Sequence, residues 1–232
     1  MQDTAKLIPL DYVYYGHLLM KNAQDSLGII ELKKAVDRDS TRYDLYEEIA
    51  RTYSKLKKHQ DAIDSYHELM KRSNGYMVNL DYQIGKEYYM MAEDNTTPGD
   101  TAIQNLNYRQ ADTSFTKVTQ LSPDSYLGFL WKGRALSKLD PETNKGLAKP
   151  SYDSAMVLLQ KGDTLKNQKQ LMECYRYLAF YYYVQADNLK LSKQLAESDT
   201  AMNNSINYWS KILEMNPADE QAKTALDNLK KK

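Results

Sequence analysis

Cysteine is almost missing from this chain. Cys174 is the only one in 232 residues, so no disulfide can close within the chain, and cysteine usage leaves the redox compartment undefined. Histidine is nearly as scarce. His17, His59 and His67 are the three present, and no two share metal-ligand spacing such as H-E-x-x-H. There is no glycine-rich phosphate loop and no G-x-S-x-G elbow. Catalysis, a metal and a cofactor are therefore not expected. Excess charge is missing too: 31 Lys and Arg balance 31 Asp and Glu. A general nucleic-acid binder shows a basic surplus, so no nucleic-acid partner is expected. No apolar run approaches the roughly 18 residues needed to cross a bilayer. The opening "MQDTAKLIPLDY" has no apolar h-region, so no signal peptide is visible in this chain. Glycine and proline, the strongest breakers of regular structure, number 9 and 6.

What the chain does have is helix-forming sequence. Hydrophobic residues make up 42% and charged residues 27%, a balance that argues for a folded chain over a disordered one. The amphipathic segments are long, rich in Leu, Ala, Lys, Glu and Gln, and no period-2 alternation is sustained. The expected fold class is all-α. Aromatic usage is lopsided, with 20 Tyr against 3 Phe and 2 Trp. The stretch "YRYLAFYYYVQAD", residues 175–187, raises the question of whether such tyrosines hold a ligand or pack helices.

The chain repeats. Tyr12, Gly16, Leu19, Gly28, Leu32 and Ala35 map, 34 residues on, to Tyr46, Ala50, Tyr53, Ala62, Tyr66 and Leu69. Small residues at two fixed points let two antiparallel helices approach, and large apolar residues fill the space toward the next pair. Further on, "YQIGKEYY" supplies Ile84, Gly85 and Tyr88. "YRQADTSFTKVTQLSP" supplies Tyr108, Ala111, Phe115, Val118 and Pro123. Phe129, Gly133 and Leu136 lead to Ala148, Tyr152 and Ala155. Tyr175, Leu178, Ala179 and Tyr182 lead to Ser205, Trp209, Ile212 and Pro217. On these residues the chain resembles the tetratricopeptide repeat (TPR) family, with tyrosine-rich bacterial members in particular.

The resemblance implies a right-handed superhelical α-solenoid of antiparallel helix pairs, about five repeats with a C-terminal capping helix. The expected organisation is an extension at 1–8, an array at 9–217, and a cap and tail at 218–232. The repeat units fall at 9–42, 43–76, 78–125 with an insert at 93–106, 126–160, and 170–217 with an insert at 188–199. The inserts are expected to be solvated connectors. In the second-to-last unit Lys132 stands where the pattern wants an apolar residue before Gly133.

In this register Tyr12, Tyr15, Tyr46, Tyr53, Tyr66, Tyr88, Tyr108, Tyr152, Tyr175 and Tyr182 are packing positions. A tyrosine ring fills an interhelix gap while its hydroxyl reaches the wet edge of a thin fold. The resemblance also implies a concave groove lined by the first helix of each pair. Arg51, Lys55, Lys86, Arg134 and Lys138 would form a basic stripe there, with Tyr82, Tyr89, Phe180 and Tyr183 as aromatic surface. Charges steer a partner and aromatics supply affinity. The two-Lys, two-Asn carboxylate clamp of some TPR proteins is not expected, because Arg51 and Lys86 stand where asparagine is wanted.

Other motifs dissolve on inspection. "SKLK" at Ser54–Lys57 lacks the companions of an S-x-x-K enzyme. Residues 37–48 mimic a calcium loop, but Arg42 takes the place of the turn glycine. Asn95 and Asn203 begin sequon-like triplets that arise often by chance. The expected function is thus a non-enzymatic scaffold that binds an extended or helical, partly acidic protein segment. The alternatives are a homodimerising module and a helper domain of a larger protein. The resemblance leans toward the bacterial cell envelope.

Overall fold

The computed structural model describes residues 7–73, 78–95 and 100–229. Residues 1–6, residues 96–99 of the first insert and the tail at 230–232 lie outside them. Among the described residues there are eleven α-helices and no strand. They are α1 (Pro9–Lys21), α2 (Asp25–Arg38), α3 (Leu45–Lys55), α4 (His59–Arg72), α5 (Val78–Asp94), α6 (Thr101–Leu121), α7 (Tyr126–Leu139), α8 (Lys149–Lys161), α9 (Gln168–Leu191), α10 (Leu195–Met215) and α11 (Glu220–Leu229). The helices pack in consecutive pairs, α1 on α2, α3 on α4, α7 on α8 and α9 on α10, and each pair touches the next helix along the chain. This is an all-α solenoid. The chain divides into two compact units, one ending at Asn107 and one beginning at Tyr108, with the division inside α6.

The 34-residue repeat is visible in the backbone. The α1–α2 turn puts Ala23 at φ 59° and the α3–α4 turn puts Lys57 at φ 58°, again 34 residues apart. In each turn a backbone N–H reaches five residues back, Gln24 to Leu19 O and Lys58 to Tyr53 O, both at 2.9 Å. These bonds satisfy carbonyls that the helix end would otherwise leave open. Where the first pair crosses, Gly16 faces Gly28, and the second pair has Ala50 and Ala62 there, both fully buried. Beyond the crossings, Val13, Ile29, Leu32, Val36, Leu45 and Ile49 form one buried cluster, and Ala50, Ile63, Tyr66, Leu69, Leu80 and Ile84 the next.

Among the described residues the inserts are mostly helix, in place of the connectors expected. In the fifth pair the turn at 192–194 repeats the same device: Lys193 has φ 61°, and Gln194 N bonds Leu189 O at 2.9 Å. Two crossing contacts then follow along the pair. Ser198 Oγ donates to Ala186 O at 2.9 Å, and Ser205 Oγ donates to Ala179 O at 2.8 Å. Ala179 and Ala186 are seven residues apart, as are Ser198 and Ser205. Each helix is therefore two turns longer than a standard one, and the extra residues double the crossing. In the third pair α5 runs on to Asp94 and α6 starts at Thr101, so most of the insert at 93–106 is also helix.

Candidate functional site

Most of the tyrosines pack. Tyr66, Tyr108, Tyr152 and Tyr175 are buried, and Tyr12, Tyr46, Tyr53, Tyr88 and Tyr182 are half-buried. Tyr15 differs from expectation: 52% of it is in water, because no helix among the described residues lies over the outer face of α1. The crowded stretch in α9 forms an aromatic ladder with its neighbours. Tyr175 and Tyr182 both meet Tyr208 of α10, with ring centroids 5.8 and 5.9 Å apart, and Tyr177 stacks on Tyr152 of α8 at 4.4 Å. Lys211 Nζ lies 5.3 Å from the Tyr208 ring, a cation–π contact that shields the ladder's edge.

Burial raises the tyrosine pKa values, since an ionised phenolate loses its hydration there. Tyr66 is pushed up to about 12, by burial first and then by the nearby Glu87 carboxylate. Tyr152 and Tyr177 rise for the same first reason, aided by Glu173 and Asp140 respectively. The folded state thus keeps protons that the unfolded chain releases near the ordinary value of 10.0. The stability they contribute is whole below that value and is lost as pH climbs toward about 12. The expected result of an alkaline titration is a late group of tyrosines whose absorbance change coincides with loss of helix. A single smooth titration of all 20 with helix intact would contradict this burial. The Cys174 thiol is likewise pushed up to about 12 by burial, which leaves it an inert packing group.

In the first unit, His59 ties the end of α5 to the start of α4. Its Nδ1 lies 2.8 Å from Glu87 Oε2 and its Nε2 lies 3.2 Å from Asp94 Oδ2. Lys57 Nζ also reaches Asp94, at 3.1 Å. These bonds from His59 and Lys57 hold the Asp94 carboxyl below its usual range. Among the described residues no group has the makings of a metal site, so this cluster is a clasp for the lengthened α5.

The residues expected to bind a partner divide by charge. Arg51, Lys55 and Arg134 have acidic partners within their own unit. Arg51 pairs with Glu47, Lys55 Nζ with Asp25 at 2.7 Å, and Arg134 grips both oxygens of Glu173 at 2.7 and 2.6 Å. Arg134 also lies over the Trp131 ring at 4.6 Å. Lys86 Nζ sits 5.7 Å from the Tyr82 ring, and Lys138 also has interactions of its own. Tyr89 is half-buried on the same helix as Lys86. Much of the positive charge is therefore balanced by the fold itself.

Phe180 and Tyr183 are brought together in a definite place. They line an apolar cleft of about 220 Å³ with Trp209 of α10 and Ala225, Asn228 and Leu229 of α11. The cleft exists because α11 is docked. Ala222 and Leu226 bury its inner face, and Asp219 anchors its start by accepting Ala222 N at 3.0 Å and pairing with Arg176. Half of this cleft was legible in the sequence. Trp209 read as packing and α11 as a cap, and only their placement beside Phe180 makes a site.

An all-α solenoid of consecutive helix pairs, with an apolar cleft beside α11, is the architecture of a helical repeat protein. In its structure the chain is similar to the C-terminal part of a TPR repeat-containing protein from Cytophaga hutchinsonii. The identity is 32%, the TM-score is 0.70, and the match covers 97% of this chain and 75% of that one. The chain belongs to the TPR repeat family. It is also similar in fold to a TPR repeats protein from Bacteroides fragilis, at 13% identity and a TM-score of 0.55, over 97% of this chain and 99% of that one. No family model and no curated protein matches the sequence. Membership places the chain among protein–protein interaction scaffolds, a fold that is generally non-enzymatic. Among the described residues no helix is long and apolar enough to cross a membrane.

Proposed function

We propose that the chain is a non-enzymatic adaptor that seats an apolar side chain of a partner protein segment in the α9–α11 cleft. The cleft is the observation that carries this reading. Aromatic walls around a small apolar space suit an anchoring residue, and buried anchors supply most of the affinity at such interfaces. The segment is extended or helical and partly acidic, a charge that suits Lys138 within the same unit as the cleft, while Arg51, Lys55 and Lys86 offer acidic segments a set of cations in the first unit. Because Arg51 and Lys55 already hold carboxylates, an acidic partner exchanges one ion pair for another. Charge then contributes orientation and encounter rate more than affinity.

The test is capture of partners from native extract, with bound proteins identified by mass spectrometry. Phe180→Ala with Tyr183→Ala is expected to weaken capture at least about tenfold, roughly 1.4 kcal/mol. Arg51→Gln with Lys86→Gln is expected to reduce the salt dependence of capture and leave most of the bound protein. Arg134 is unsuited to charge reversal, because a new carboxylate would face Glu173. Capture that ignores the cleft substitutions and vanishes with the charge substitutions would overturn the proposal.

A further inference from the structure

We propose that the corner where α9 meets the α10–α11 turn holds an acidic side chain of the bound protein segment, at a fixed spacing from the apolar anchor. This rests on the adaptor reading and adds the partner's charge and direction to it. Gln168, Lys169, Met172 and Arg176 of α9 line a second cleft, of about 430 Å³, with Asn216 and Asp219 of the turn.

The hydrogen bonds at this corner are spent in a one-sided way. Asp219 uses both carboxylate oxygens within the fold: Oδ1 accepts Ala222 N at 3.0 Å, and Oδ2 takes Arg176 Nη2. Asn216 Oδ1 accepts Ala218 N at 3.2 Å, which leaves its Nδ2 to donate elsewhere. Gln168 Nε2 donates to Met215 O at 2.6 Å and ties α9 to the turn. What remains is rich in donors: Lys169 Nζ, Asn216 Nδ2 and the other Arg176 N–H groups, against the Gln168 Oε1. Arg176 Nε is buried without a partner, against the rule that buried polar groups are satisfied, while 34% of the Arg176 side chain stays in reach of water. Lys169 is exposed and pairs with no acid among the described residues. Glu220, the next acid along, is taken by Lys223 at 2.8 Å. Lys169 and Arg176 against Asp219 leave one net positive charge, which suits one carboxylate.

Helix periodicity ties this corner to the anchor. Lys169, Arg176, Phe180 and Tyr183 follow one another at steps of seven, four and three, so they share one face of α9. The same neighbour frames both ends of that face: Asp219, at the start of α11, stands beside Arg176, and Ala225 and Leu229 stand beside Phe180 and Tyr183. At 1.5 Å per residue the donor corner and the anchor pair lie roughly 8–14 Å apart. A short segment has little helix of its own and enters extended. At about 3.3 Å per residue, its acidic residue then stands roughly two to four positions from its apolar one. Charge decides which residue enters which cleft, and so sets the direction of the segment.

The experiment is display selection of short random segments on the whole chain, with both ends of each segment joined to the carrier so that only side-chain carboxylates are offered. Wild type is expected to enrich an apolar residue with Asp or Glu at that spacing on one side. Lys169→Glu is the variant, because Lys169 holds no acid in the fold, whereas loss of Arg176 would strand Asp219; circular dichroism checks its folding. It is expected to bind a segment selected on wild type at least about tenfold more weakly, and to recover when the segment's acid is replaced by lysine. An apolar preference without the acid, or a Lys169→Glu protein that binds as before, would overturn this proposal and leave the cleft reading standing. An acidic preference that survives Phe180→Ala with Tyr183→Ala would support this site while overturning the cleft. Enrichment of no segment would overturn both.

Discussion

Gly28→Leu is expected to unfold the first helix pair. A Cβ at position 28 would lie 2.5 Å from Met20 Cγ and 2.8 Å from the Gly16 carbonyl oxygen. Met20 is flexible and can turn aside. The Gly16 oxygen belongs to the backbone of α1 and cannot move unless the helix moves. Replacing a glycine within a helix gains up to about 1 kcal/mol of helix propensity. Overpacking a close crossing costs about 1–3 kcal/mol, and more where backbone is displaced. The balance is already unfavourable for Gly28→Ala, by about 1 kcal/mol. For leucine, whose branch has to enter the same gap, the loss is about 3 kcal/mol or more. Urea unfolding followed by circular dichroism measures the loss, and amide exchange places it in α1 and α2. A wild-type midpoint for Gly28→Leu would contradict the close crossing on which the repeat register rests.

Asp219→Ala is expected to release α11 and with it one wall of the cleft. Asp219 performs two tasks in a buried setting: it accepts Ala222 N at the helix start and balances the Arg176 guanidinium. Losing the cap costs about 1 kcal/mol. Leaving a partly buried arginine without its counter-charge adds to that, for a total of about 2–3 kcal/mol once solvent screening is allowed for. A ten-residue helix has little stability of its own, so α11 depends on these contacts and on Ala222 and Leu226. Amide exchange in α11 should accelerate while α1–α4 stay protected. In a Trp131→Phe background, Trp209 emission should shift to the red as water reaches it. Asp219→Asn retains an acceptor for Ala222 N and should fall between the two. Unchanged exchange in α11 would show that the cap is held by apolar packing alone.

Much of the fold was legible in the sequence because its physics is local and periodic. Gly16 and Gly28 had to be small for the crossing to close, and Tyr66 and Leu69 had to be large to fill the space behind it. The inserts were misread because composition does not distinguish a solvated connector from a helix lengthened by two turns. The αL turn at Lys193 carries lysine, not glycine, so its kinship with Ala23 and Lys57 was hidden until the backbone was seen. The basic residues were legible as positions but not as free charge. Glu173 lies 39 residues from Arg134, and no spacing rule pairs them. The cleft was half legible for a similar reason. Phe180 and Tyr183 stood outside the packing register, but their walls come from Trp209 and α11, which reach them only through tertiary packing. Tyr15 marks the same limit at the other end, where a signature position is left in water.

The most direct test of the adaptor reading is a photo-cross-link from the cleft itself. A photoreactive phenylalanine analogue in place of Tyr183 reaches only what enters that space, and mass spectrometry identifies the attached peptide. The account predicts an adduct with a partner segment, centred on an apolar residue and reduced when Phe180 is alanine. A partner that copurifies with the chain yet never cross-links from position 183 would contradict it.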